Sequence, residues 1–163
     1  MMRTALYSLV GVLMFGATVQ LREKAMDPGF VATPHPLEVA RPADLVRATE
    51  ATGLPMRVGH FRLDLVQRGG NDSRQLIYRN GGSAVSVFAT GRRFRKLSPE
   101  GNWRAVEIGY GRTGQARPLE DGLTALVWIH QSRRCTAIAA LGIEDLRMFV
   151  REIGDSTAFP TEG

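Results

Sequence analysis

The sequence predicts an α+β protein: a single N-terminal transmembrane helix, then an antiparallel sheet of about six strands with a C-terminal helix packed on one face. Three observations lead to this fold class. Residues 4–21 carry no formally charged side chain. Residues 58–141 contain several runs in which apolar and polar residues alternate. Residues 143–153 repeat their apolar positions at a helical period.

The first element is the uncharged run, which Arg3 precedes and Arg22 follows. A helix rises about 1.5 Å per residue and the hydrocarbon core of a bilayer is roughly 30 Å thick, so a run of this length can span it with little tilt. We predict an uncleaved anchor over residues 1–24. A cleaved signal peptide and a buried core helix are the alternatives, although no good small-x-small cleavage site follows the run.

The orientation of this anchor depends on the basic residues near its two ends, which nearly balance. Because only three residues precede the run, the N-terminus is expected to stay inside. We therefore expect a bacterial inner-membrane protein whose domain lies in the periplasm, with the opposite orientation as the alternative. Small residues on the helix, which allow close contact between helices in a membrane, are Ser8, Gly11, Gly16 and Ala17.

Composition limits the function classes. The net charge is +5, and among the cations only Lys24 and Lys96 are lysines. A basic balance suits nucleic acid, anionic lipid or an acidic protein, and a periplasmic location removes nucleic acid. A genome rich in G and C is the simpler explanation of the arginines. Cys135 is the only cysteine, so the chain forms no internal disulfide.

The remaining elements follow in order. A Pro-rich linker is expected over residues 25–41, and one α+β domain over residues 42–154, followed by a tail over residues 155–163. A short helix should begin at Pro42 and end before Gly53, with Leu45, Val46 and Thr49 facing inward. Strands are expected over 58–65, 76–78, 84–88, 103–110, 123–130 and 135–141, with a Gly/Arg loop before the fifth. The final helix should end at Gly154.

Two stretches resemble a known family. The hairpin sequence Leu76-Ile77-Tyr78-Arg79-Asn80-Gly81-Gly82, with Val85-Ser86-Val87-Phe88 after it, is similar to a hairpin in the C-terminal domain of the periplasmic regulators MucB and RseB. Val127-Trp128, then Ala137 to Leu141, Gly142 and Glu144-Asp145-Leu146 resembles the closing part of that domain. The likeness covers roughly residues 56–153 and implies a non-enzymatic, protein-binding domain outside the cytoplasm. The large N-terminal sensing domain of that family has no counterpart here.

Motifs for catalysis or cofactors are weak. Gly109-Tyr110-Gly111-Arg112-Thr113-Gly114 spells a dinucleotide-binding fingerprint, but no helical period follows it, so a flexible loop is expected. His35, His60 and His130 lack metal-ligand spacing, and His60 and His130 are expected on outward faces or at edges. Cys135 and His130 form a conceivable nucleophilic pair, although a strand cysteine is more often a buried apolar residue. We predict no catalytic residue, no metal and no cofactor.

The densest basic run predicts a docking patch. Its residues, together with two arginines of a later turn, are Arg92, Arg93, Phe94, Arg95, Lys96, Arg133 and Arg134. Arginine binds carboxylates and phosphates bidentately, and an aromatic residue adds an apolar anchor. A solvated loop is the alternative.

The function expected from the sequence is a non-enzymatic single-pass accessory protein that stabilises or regulates an inner-membrane complex, with anionic lipid headgroups as a second class of partner. A MucB/RseB-like regulator of an anti-sigma protein or a lipid signal is the first alternative. A hydrolase or redox enzyme is the second.

Overall fold

The computed structural model describes residues 42–69, 72–93 and 102–158, and these form one antiparallel sheet of eight strands with two α-helices. The helices are α1 (Pro42–Thr52) and α2 (Ile143–Ala158). The strands are β1 (Arg57–Val58), β2 (Phe61–Arg68), β3 (Arg74–Asn80), β4 (Ser83–Arg93), β5 (Arg104–Glu107), β6 (Thr113–Pro118), β7 (Thr124–His130) and β8 (Arg133–Ala139). Their order across the sheet is β1-β2-β3-β4-β8-β7-β6-β5.

The predicted number of strands is wrong, because the sheet has eight strands and not about six. The two-residue strand β1 is too short to give a pattern. Strand β6 lies in the stretch predicted as a loop, and its buried positions hold Gly114 and Ala116, so no large apolar residue marks it. It is a strand nevertheless because β5 and β7 pair with it on both sides.

The transmembrane helix of the predicted fold class is also absent from the described structure. In residues 42–69, 72–93 and 102–158, no helix is both long enough and apolar enough to span a bilayer. The predicted anchor over residues 1–24, with Ser8, Gly11, Gly16 and Ala17, and the linker over residues 25–41 lie outside the described residues.

One hydrophobic core lies between the sheet and both helices. The side chains of Phe149, Phe61 and Tyr78 meet edge to face, with ring centroids 5.4 and 5.5 Å from that of Phe149. Burial of a large aromatic or aliphatic side chain contributes about 1.5–3 kcal/mol, so this layer dominates the stability of the domain. Its other large members include Leu54, Leu63, Leu76, Val85, Val87, Leu126, Trp128, Leu146, Val150 and Ile153.

The opposite face of the central strands is buried as well. Ala125 and Val127 of β7 are fully buried, and Phe88 of β4 and Ile138 of β8 are nearly so. A strand that is buried on both faces needs apolar residues at consecutive positions. This burial explains why β7 reads as a continuous apolar run.

The ends of the helices partly follow the prediction. Helix α1 begins at Pro42 and stops before Gly53, whose φ of +70° is the left-handed conformation that closes a helix. The inward-facing residues of α1 differ from the predicted set, because Ala48 and Thr52 are buried whereas Val46 is exposed. Helix α2 continues beyond Gly154 to Ala158, so the prediction that Gly154 ends it is wrong. Gly154 is buried inside the helix, where the Arg112 guanidinium packs against it.

Candidate functional site

Arginines from three strands gather at one end of the sheet. In the strand register Arg68 of β2 pairs with Arg74 of β3, and Arg74 pairs with Ala89 of β4. Farther along β4, Arg93 pairs with Arg133 of β8. We call this region the arginine end and define it by Arg68, Arg74, Arg133 and Arg134. The register therefore brings together residues that lie far apart in the sequence.

Two hydrogen bonds fasten β8 to β4 at the arginine end. The Arg133 guanidinium donates through Nη1 to the Thr90 carbonyl oxygen at 3.2 Å, and the Thr90 hydroxyl donates to the Arg134 carbonyl oxygen at 3.2 Å. Arg68 is exposed, whereas the other three arginines are half-buried. The cations are therefore partly held in place rather than fully solvated.

The pKa of Arg74 reflects the charged groups around its guanidinium. Burial lowers the pKa of Arg74 most, and the positive charges of Arg68 and Arg133 lower it further, while the nearby Asp72 carboxylate opposes them. Within the described ranges, the ion pairs join Arg79 to Asp64 and Arg147 to Glu144, so none involves the arginine end. The result is a positive surface in which the Asp72 carboxylate offsets part of the repulsion at Arg74 without forming an ion pair with any described residue.

The predicted docking patch is described only in part. Arg133 and Arg134 belong to the arginine end, and Arg92 and Arg93 are backbone positions of β4 beside it. Phe94, Arg95 and Lys96 lie outside the described residues. The register pair of Arg93 with Arg133 places the backbone at the start of the basic run next to the first arginine of the later pair.

His130 is buried and not at an outward face, contrary to the prediction. Its Nε2 lies 2.9 Å from the carbonyl oxygen of Gly53, so the imidazole connects the end of α1 to the end of β7. Burial lowers the pKa of His130 most; the Gly53 hydrogen bond raises it, and the charge of Arg112 lowers it again. A neutral imidazole with its proton on Nε2 fits this environment.

Cys135 and His130 do not form an activated pair. Across the hairpin Cys135 pairs with Trp128, whereas His130 pairs with Arg133. The thiol is fully buried, and burial raises the pKa of Cys135 to about 12. A nucleophilic cysteine needs a lowered pKa and access to a substrate. Cys135 instead packs as a small apolar residue of the core.

The glycine-rich fingerprint forms a hairpin turn between β5 and β6 and not a helix start. Gly109 and Gly111 have φ values of +90° and +68°, which the turn requires. At Gly114 a Cβ would lie 3.0 Å from the Val127 carbonyl oxygen, so this glycine allows close approach of β7. Each glycine therefore has a structural reason, and the chain continues from the motif into strand β6 and not into a helix whose N-terminus could receive a pyrophosphate. The predicted loop contains the regular strand β6.

No group of three or more His, Cys, Asp and Glu side chains within the described part of the chain is placed to hold a metal ion.

Three residues of the candidate site are not predicted as binding residues by the sequence. Arg68 and Arg74 join the arginine end through strand pairing that no local pattern reveals. Tyr110 is exposed at the β5–β6 turn, with the Arg112 guanidinium 5.9 Å from its ring centroid.

Comparison with protein-family models, with curated proteins and with solved structures finds no match to this chain.

Proposed function

We propose that this chain is a non-enzymatic accessory protein of the bacterial inner membrane, whose periplasmic domain docks through the arginine end on an acidic surface of a membrane protein complex. The observation that carries the proposal is the gathering of Arg68, Arg74 and Arg133 from three strands without an ion pair among the described residues. Guanidinium groups are well suited to bind carboxylates in pairs of parallel hydrogen bonds.

The physical argument concerns the cost of keeping like charges together. Repulsion among these arginines and their partial burial destabilise the isolated domain. An acidic partner removes the repulsion and gains charge-assisted hydrogen bonds, so the same arrangement favours the bound state. Part of the desolvation has already occurred, because three of the four side chains are half-buried before binding.

The buried state of the candidate nucleophile favours a binding protein over a hydrolase or redox enzyme. Cys135 is inaccessible, and its raised pKa keeps the thiol protonated. The imidazole of His130 is occupied by the Gly53 carbonyl oxygen.

A regulator resembling MucB and RseB is a second candidate. What favours it is that the stretches carrying the resemblance fall on the β3–β4 hairpin and on the β7–β8 hairpin with α2. In this alternative the partner of the arginine end is an anti-sigma protein, so the identity of the partner separates the two.

The experiment compares two charge reversals at opposite ends of the same strand. Arg68 and Arg74 are register partners at the arginine end, and Arg57 and Arg62 are register partners at the other end of β2. Full-length tagged protein carrying R68E and R74E, or R57E and R62E as the matched control, is purified from membranes in mild detergent. Copurified proteins are identified and quantified by mass spectrometry.

We expect the R68E and R74E variant to lose its main partner at least tenfold, because reversed charges at a docking surface usually cost more than about 1.4 kcal/mol. A variant with R133E and R134E should lose it similarly, and the control should keep it. Equal partner recovery from all variants would show that the arginine end is not the docking surface.

A further inference from the structure

Tyr110 lies at the tip of the β5–β6 turn, at the same end of the sheet as the arginines. The last register pair of β5 and β6 is Glu107 with Thr113, and the last pair of β7 and β8 is His130 with Arg133. Because β6 and β7 are neighbouring strands, about 4.8 Å apart, the β5–β6 turn and the β7–β8 turn lie side by side. Tyr110 is 64 % exposed, more than any other large apolar side chain within the described ranges.

Backbone hydrogen bonds hold the turn that carries this side chain. The Ile108 amide donates to the Arg112 carbonyl oxygen at 2.9 Å, and the Arg112 amide donates to the Gly109 carbonyl oxygen at 3.0 Å. The Arg112 guanidinium lies over the ring of Tyr110 and also packs against Gly154 of α2. The backbone of the turn is therefore ordered, and a guanidinium lies over the ring, before any partner arrives.

The backbone of Tyr110 is strained. Its φ of +55° lies in the left-handed region, between glycines with φ of +90° and +68°. A bulky residue rarely adopts this conformation, whereas glycine adopts it readily. Tyr110 is largely exposed and contributes little to the core, so the folded domain gains little from a tyrosine here. A benefit outside the domain explains the residue better.

We propose that Tyr110 is the aromatic anchor of the docking surface, and that the partner is an acidic protein segment with an apolar side chain that packs on the Tyr110 ring. This inference rests on the proposed function. An exposed tyrosine beside cations, on an ordered turn, is typical of binding hot spots, since a side chain with only two rotatable bonds loses little conformational freedom on association. A lipid surface is a weaker match, because membrane insertion depends on apolar area and a single tyrosine offers little.

The test uses the full-length protein in membranes, with a photo-crosslinking phenylalanine analogue in place of Tyr110. Met148, which is 44 % exposed on α2, serves as the matched position for the same analogue. Adducts are analysed by mass spectrometry, with and without R68E and R74E. In parallel, Y110G and the control M148A are compared for partner recovery in the purification described above.

We expect a protein adduct at position 110 that R68E and R74E reduce at least tenfold, and none at position 148. Y110G should lower partner recovery roughly tenfold or more, while its melting temperature stays equal or rises by about 2–4 °C because the strain is relieved. Full recovery with Y110G, while R68E and R74E abolish it, would overturn the role of Tyr110 and leave the arginine end as the docking surface. A phospholipid adduct at position 110 would overturn the protein partner.

Discussion

Acidification should destabilise the domain through His130. The side chain is 3 % exposed, and its Nε2 lies 2.9 Å from the Gly53 carbonyl oxygen. Burial is the largest cause that lowers the pKa of His130 below its ordinary value, and the charge of Arg112 adds to it. Protonation of His130 would therefore add a positive charge near the Arg112 guanidinium in a buried site, at the point where the end of α1 meets the sheet.

The sign follows from the direction of this shift. The unfolded chain has an ordinary histidine pKa of about 6.5, and the folded chain has a lower one, so the unfolded state binds the proton first as the pH falls. The stabilising contribution of neutral His130 is fully present above about pH 6.5 and is lost as the pH falls toward the folded pKa. From pH 7.5 to 5.5 the loss from one such group has a ceiling of about 1.4 kcal/mol.

The assay is urea unfolding of the full-length protein in mild detergent at pH 7.5 and 5.5. The wild type is compared with His130→Gln, which keeps an amide donor but does not titrate, and with the control His60→Gln at an exposed position. The loss of unfolding free energy between the two pH values should be smaller in His130→Gln by up to about 1.4 kcal/mol. The same loss in His130→Gln and wild type would refute the reasoning.

Three further predictions concern the backbone and the thiol. Ser132 has a φ of +63°, so Ser132→Gly should raise the unfolding free energy by about 1 kcal/mol in the same urea assay, and a decrease would contradict the inferred strain. Gly114→Ala should lower it by about 1–3 kcal/mol because a Cβ would crowd the Val127 carbonyl oxygen, while Gly82→Ala, which meets nothing within 4 Å, should change it little. Cys135 should resist a thiol reagent at pH 8 in the folded protein and react on unfolding, whereas rapid labelling of folded protein would show an accessible thiol.

The sequence predicts a strand well where packing demands large apolar residues, and poorly where it does not. Trp128 and Leu126 fill the core face of β7, so alternation and high apolarity both mark that strand. In β6 the corresponding positions are Gly114 and Ala116, because the neighbouring backbone and Ile108 already fill the space. A strand whose inward side chains are small is held by its two pairing partners, and that information is not local.

The candidate site was predictable only in part for a similar reason. Arg133 and Arg134 stand out in the sequence as adjacent cations, and this pattern predicts them as docking residues. Arg68 and Arg74 appear as scattered charges until the register pairs them with each other. His130 looked like an outward residue because strand alternation gives no warning that the end of α1 covers it.

The distribution of backbone strain connects these features. Among the described residues, five that are not glycine have left-handed φ values. Asp72 and Asp121, which lie in turns at opposite ends of the sheet, belong to a residue type that tolerates this conformation, whereas Tyr110, Gln131 and Ser132 do not, and all three lie in turns at the arginine end. The β3–β4 turn at the opposite end uses Gly81 for its left-handed residue, as an unstrained hairpin does. Strain of this kind persists where function requires particular side chains. The three strained residues of the arginine end are neither glycine, asparagine nor aspartate, and their position agrees with the proposal that this end of the sheet binds a partner.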